Sequence, residues 1–137
     1  MNENELKELF ERRNISEIRH AVDNYREIKE RVLAWAVERG NAELVHYVMN
    51  RTTPEEYDKY ENTPLEYACL CGNYSMVKFI AENEKSPYFS QDNSLFYAAA
   101  YGDRGIIRCL IENGYDINMK DGYGGNALEW AAQENRI

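Results

Sequence analysis

The sequence predicts an all-α fold, a solenoid of stacked helix-turn-helix units joined by short projecting turns. Three observations predict it. Four segments share one register: "RVLAWAVERGNAELVHYVMN" from Arg31, "NTPLEYACLCGNYSMVKFIAEN" from Asn62, "NSLFYAAAYGDRGIIRCLIENG" from Asn93 and "NALEWAAQENRI" from Asn126. Their leucines, Leu33, Leu65, Leu95 and Leu128, stand 32, 30 and 33 residues apart. An aromatic follows each two places on (Trp35, Tyr67, Tyr97, Trp130), and an alanine three places on (Ala36, Ala68, Ala98, Ala131). Third, Gly40, Gly72 and Gly102 lie seven residues after the first three leucines, and a second apolar helix pattern follows each: Leu44–Val45–Val48, Met76–Val77–Ile80 and Ile106–Ile107–Leu110. Glycine adopts the left-handed conformation that ends a helix most cheaply, so each unit reads as helix, stop, helix.

In chain order, residues 1–137 read as a single domain. Residues 1–30 form a degenerate N-terminal capping repeat, in which "LKELFERRNISEIRHAV" carries Arg13–Asn14 in place of Gly–Asn and has a polar outer face. "DNYREIKERVLAWAVER" reads as one helix from about Asp23 to Arg39, with no room for a projecting turn. Residues 31–61, 62–92 and 93–125 are repeats, and residues 126–137 a partial C-terminal repeat. Within the first of these, "TTPEEYDKYEN" (Thr52–Asn62) predicts a helical turn capped by Thr53 in place of a plain hairpin tip. Thr63, Asn93 and Asn126 share the position of a helix N-cap, and Pro64 follows Thr63 where its missing N–H costs nothing. The alanine column allows neighbouring first helices to approach closely; the aromatic column and second-helix aliphatics are expected to fill the space between layers.

The period near 33, the start "TPLEYA" (Thr63–Ala68) and the two short helices per unit resemble the ankyrin repeat. The resemblance covers residues 31–137 and is clearest at Leu110–Ala132, where Gly114, Asp116, Asn118, Asp121 and Gly124 follow the family's turn pattern. One departure stands out. The family's usual histidine after the anchoring leucine is replaced by Ala34, Glu66, Phe96 and Glu129, so its hydrogen bonds are missing or remade.

Composition excludes several function classes. Sixteen basic against 24 acidic residues give a formal charge of −8, which argues against nucleic acid and anionic membranes as partners. The excess is greatest in the middle: residues 1–50, 51–92 and 93–137 sum to −2, −4 and −2. No apolar run approaches the roughly 20 residues of a membrane span, and "MNENELKELFERRN" is no secretory signal. Three cysteines without framework spacing suit a reducing cytosol, so a cytoplasmic location is expected. Cys69 and Cys71, two apart on a helix, point in different directions and cannot share a metal. His20 and His46 fall on solvated faces. "GYGG" (Gly122–Gly125) is a turn, not a phosphate loop, and no nucleophile–base pairing is visible. No enzyme activity, cofactor or metal is expected.

The resemblance implies a non-enzymatic protein-binding module whose partner lies along the concave face, against the projecting turns and the exposed ends of the first helices. Carried across, those positions are Glu38 and Arg39; Glu55, Glu56, Tyr57, Asp58, Tyr60 and Glu61; Phe89 and Asp92; and Tyr101 and Tyr123. Tyr57, Tyr60, Phe89, Tyr101 and Tyr123 form an aromatic track, and tyrosine gives large contact area with few rotors to freeze. The acidic residues around Tyr57 and Tyr60 favour a partner with a basic surface, as an acidic inhibitor or bacterial immunity-type protein would have in a basic toxin. The alternative is an adaptor or effector fragment of a longer ankyrin-repeat protein, motivated by the abrupt end at Ile137. A monomer is expected.

Overall fold

Asn2, Asn14, Asn41, Thr63, Asn73 and Asp103 each turn a side-chain oxygen onto the backbone amide three residues on, and each begins a helix. Such caps contribute on the order of 1 kcal/mol apiece, and here they start most of the helices of the fold. The computed structural model describes residues 1–57, 59–83, 93–101, 103–118, 125, 126 and 129. Every element among them is helical. The chain divides into two units, Met1–Tyr60 and Glu61–Ile137.

The first unit holds α1 (Glu3–Arg12), α2 (Ile15–Asn24), α3 (Lys29–Arg39), α4 (Ala42–Met49) and the single-turn α5 (Pro54–Tyr57). Helix α1 stops at Arg13, whose φ of 54° lies in the left-handed region that glycine fills at Gly40 (φ 71°). The expected continuous helix from Asp23 to Arg39 does not form. Helix α2 ends at Asn24, Tyr25 is extended (φ −128°, ψ 95°), and a 3₁₀ turn over Arg26–Ile28 leads into α3. The Asn24 side-chain amide donates back to the His20 carbonyl at 2.8 Å, a local side-chain bond at the last residue of α2. The reading failed because the apolar residues keep helical phase across the break: Ala21, Val22, Ile28, Val32 and Leu33 are all buried. Their partners in the core include Leu6, Leu9, Ile18, Leu44, Val45 and Val48.

The second unit holds α6 (Pro64–Cys71), α7 (Tyr74–Asn83), α8 (Ser94–Tyr101) and α9 (Arg104–Glu112). First helices α6 and α8 pack side by side, second helices α7 and α9 likewise, and each hairpin closes on itself. Gly72 ends α6 with φ 66°, as the register predicts; Gly102 lies outside the described residues. The alanine column is fully buried at Ala36, Ala68 and Ala98. Ala131 and Trp130 lie outside the described residues. After α9, Tyr115 tucks under the helix end, donating its backbone N–H to the Leu110 carbonyl at 3.0 Å.

Candidate functional site: the accessible faces of the first helices and the turns

The burial pattern of the first helices defines their accessible face. On α3, Val32, Leu33, Ala36 and Val37 are buried, which leaves Trp35 half-exposed and Glu38 and Arg39 exposed. The same offsets on α6 present Tyr67, Leu70 and Cys71, and on α8 Tyr97, Ala100 and Tyr101. Residues at i, i+3 and i+4 form one stripe along a helix. Among the described residues the aromatic column (Trp35, Tyr67, Tyr97) therefore does not fill the space between layers, as expected from sequence. It lies half out of the core, because the buried arc of each helix is already taken by the leucine and alanine positions. These aromatics are the surface residues that sequence reasoning missed, and the signal was present: their offset from the leucine sets them beside the exposed positions.

In the first unit, Trp35 stacks on Phe10 of α1 with ring centroids 5.0 Å apart and planes within 6°. The Arg39 guanidinium lies 5.5 Å from the Trp35 ring centre, a cation–π contact. Arg31 pairs with Glu3 beside them. The platform mixes aromatic and charged groups.

The Thr52–Tyr60 turn is built as predicted around a capped helical turn. The Glu56 amide donates to Thr53 Oγ1 at 3.2 Å, and the Thr53 amide donates back to Glu56 Oε1 at 3.4 Å. Glu56 is not free to meet a partner as the sequence reading expects of the acidic patch. Lys29 of α3 reaches it with Nζ 3.1 Å from Oε2, and the two side chains are only 9% and 14% exposed. Lys29 also donates to the Arg51 carbonyl. Burial alone raises the Glu56 carboxyl pKa, but hydrogen bonds from Lys29 and Thr53 and the Lys29 and Arg26 charges outweigh it and hold the group below the ordinary carboxylate range. Tyr57 and Tyr60 pack edge to face on each other, centroids 5.6 Å apart at 82°, with both hydroxyls buried. Burial, helped by the Glu56 charge, pushes the Tyr60 phenol up to about 12. Glu55 and Glu61 are exposed. Asp58, Phe89, Asp92 and Tyr123 lie outside the described residues.

In the second unit Glu66, at the position of the family's histidine, is 5% exposed. Its Oε1 accepts from the Thr63 amide at 2.7 Å, completing the capping box of α6, and its Oε2 accepts from the Asn93 amide at 3.1 Å, at the start of α8. Tyr97 donates its hydroxyl to Asn62 Oδ1 at 3.4 Å across the same junction. The lost histidine bonds are thus remade here by a carboxylate. Phe96 fills the core instead, and Glu129 is exposed. Tyr101, at 55%, is the most exposed large apolar side chain among the described residues.

Little in this surface offers chemistry. Among the described residues no three His, Cys, Asp or Glu side chains cluster to hold a metal ion, and no helix is long and apolar enough to cross a membrane. His20 and His46 are exposed, each with Nε2 beside the asparagine one turn on, at 3.2 and 3.0 Å. Cys69 and Cys109 are buried, and burial raises the Cys109 thiol pKa, which makes it less reactive. Cys71 is exposed.

Stacked helix hairpins with buried alanines, left-handed stops and accessible first-helix faces define a helical repeat protein of the binding kind. The family described as ankyrin repeats (3 copies) matches residues 2–91, and that described as ankyrin repeats (many copies) matches residues 95–137. The chain belongs to the ankyrin repeat family, whose repeats are generally non-catalytic protein–protein interaction modules. The first match takes in α1 and α2. The chain is 30% identical to an ankyrin repeat protein of Acanthamoeba polyphaga mimivirus, over 83% of this chain and 22% of the relative. It is 29% identical to an Arabidopsis thaliana protein named as an E3 ubiquitin-protein ligase, over 77% of this chain and 27% of the relative. It therefore spans about a quarter of the length of the curated relatives it matches.

Proposed function

We propose that this chain binds a protein with a basic surface, in the cytoplasm and as a monomer, through the accessible faces of its first helices and the turns that precede them, and acts as an inhibitor of that partner. The observation that carries the reading is the i, i+3, i+4 stripe found in the first unit on α3 and, separately, in the second unit on α6 and α8, each of which leaves aromatic side chains half-exposed. The formal charge of −8 and the exposed Glu38, Glu55 and Glu61 supply the attraction for a basic partner. A basic toxin neutralised by an acidic immunity-type protein is the sharpest form of the proposal. Affinity capture from the native cell at low and high salt tests it, comparing wild type with Glu38→Lys/Glu55→Lys/Glu61→Lys. A basic prey that is lost from the variant and weakened by salt supports it. A prey retained equally by both proteins overturns the electrostatic part.

A second reading is that the chain works as the recognition segment of a longer protein. What supports it is the 22% and 27% of the two relatives that it spans. One of those is named as an E3 ubiquitin-protein ligase, and a recognition role of this kind would suit such a protein. Sequencing the transcript past the codon for Ile137 discriminates the readings.

A further inference from the structure

The accessible stripes of α6 and α8 differ in chemistry from that of α3. Tyr67, Leu70 and Cys71 on one helix and Tyr97, Ala100 and Tyr101 on its neighbour include no ionisable acid or base of the Asp, Glu, Lys or Arg kind, in a chain with 29% of those residues. The α3 stripe carries Glu38 and Arg39 at the same offsets. Because α6 packs directly on α8, the two uncharged stripes are neighbours. Tyr101 is 55% exposed, and Tyr74, which opens α7, is 47% exposed. The Tyr74 ring leans on the start of α9, where a Cβ built on Gly105 would sit 3.6 Å from its Cδ2.

Two requirements on a partner follow. A Lys or Arg side chain pressed onto these stripes would lose water and meet no carboxylate among the six residues that form them, with only a cation–π contact to a tyrosine to offset the loss, whereas an aliphatic or aromatic side chain would lose only unfavourable hydration. At longer range residues 61–137 carry 11 acidic against 6 basic residues, and Glu61 is exposed in the turn leading into α6, so a positively charged molecule is drawn in. We infer that the partner is a basic protein segment whose anchors on α6 and α8 are apolar or aromatic side chains, with its lysines and arginines flanking those anchors and not seated on them. The inference rests on the binding function proposed above. It assigns residence time to the stripes and association rate to the carboxylates.

The probe is a displayed library of random peptides selected on the full chain, with the winners measured by surface plasmon resonance. Winners should pair aromatic or leucine-like anchors with flanking Lys or Arg. Leu70→Ser/Tyr101→Ser should speed their dissociation at least about tenfold, the size expected for losing an anchoring side chain. Glu55→Gln/Glu61→Gln should slow association, with a reduced salt dependence, and leave dissociation unchanged. If the serine double variant is misfolded by circular dichroism, Tyr101→Ser alone gives the same readout. Winners made of basic residues without apolar anchors, or winners whose dissociation is unmoved by the serine variants, overturn the inference. Should such winners still be lost on Glu38→Lys/Glu55→Lys/Glu61→Lys, the wider binding function survives and this assignment alone fails.

Discussion

Replacing Glu66 by alanine removes two hydrogen bonds to one carboxylate, at 2.7 Å from the Thr63 amide and 3.1 Å from the Asn93 amide. Bonds to a charged acceptor contribute about 1.5–3 kcal/mol each when both ends are shielded. Asn93 is exposed and Thr63 half-exposed, so water takes up part of each loss and the lower end applies. The bond to Thr63 belongs to a capping box, for which about 1 kcal/mol is ordinary. The expected cost of Glu66→Ala is therefore about 2–3 kcal/mol, a large share of the roughly 5–15 kcal/mol that holds a domain folded. Glu66→Gln keeps one acceptor oxygen and turns a donor toward the other amide, so it should lose about half as much. Urea unfolding gives the magnitude, and hydrogen exchange gives the location: the Asn93 amide should lose more protection than the amides inside α6 and α8. A cost below about 0.5 kcal/mol, the level of an ordinary surface substitution, would refute the argument, as would unchanged exchange at Asn93.

Arg13→Gly should stabilise the chain by about 1 kcal/mol in urea unfolding, since Arg13 alone among non-glycine described residues has a positive φ, 54°. Lys29→Met should destabilise by about 3 kcal/mol, because it strands Glu56 in a mostly buried position, and Lys29→Met/Glu56→Gln should recover much of that loss. The Glu56 carboxyl has a folded pKa below its ordinary 4.5, so its contribution is full above about that value and is lost as pH falls through the folded pKa. Wild-type stability should thus drop on acidification more than that of the Lys29→Met/Glu56→Gln protein, as read by melting temperature against pH. Phe10→Ala should remove the stacking partner of Trp35 and shift Trp35 emission to longer wavelength as the ring gains water.

The fold was legible because its determinants repeat. One leucine, one alanine and one glycine per unit, at fixed offsets, predict the buried column and the left-handed stops that the described residues contain at Leu33, Ala36 and Gly40 and again at Leu65, Ala68 and Gly72. Two things were not legible. The break at Tyr25 was hidden because Ala21, Ile28 and Val32 keep the phase of a continuous helix, and only Asn24, a poor helix former able to bond its own backbone, signalled it. The pairing of Lys29 with Glu56 joins residues 27 positions apart, and neither local pattern nor charge count foretells which carboxylate a buried lysine will meet. The candidate site suffered from a local misreading as well. Its tyrosines at positions 57 and 60 read as an exposed track but pack on each other, because the chain turns back just after α5 with the Tyr60 amide donating to the Tyr57 carbonyl.

Formal charge and surface charge consequently diverge in the stretch that first suggested a basic partner. Four acidic residues surround Tyr57 and Tyr60 in sequence: Glu55, Glu56, Asp58 and Glu61. Glu56 is committed to Lys29 and to the Thr53 cap, so among the described residues Glu55 and Glu61 alone of that set face solvent. Glu66 is committed likewise, to two backbone amides. Carboxylates spent on the fold still add to the long-range field, which depends on total charge, but they cannot meet a partner's lysine directly. On the proposed reading, close-range affinity would come chiefly from the accessible aromatic and aliphatic side chains on the first helices, with Glu55 and Glu61 beside them. Under the proposed function, that division lets an acidic repeat protein attract a basic molecule electrostatically and hold it through residues that carry no charge.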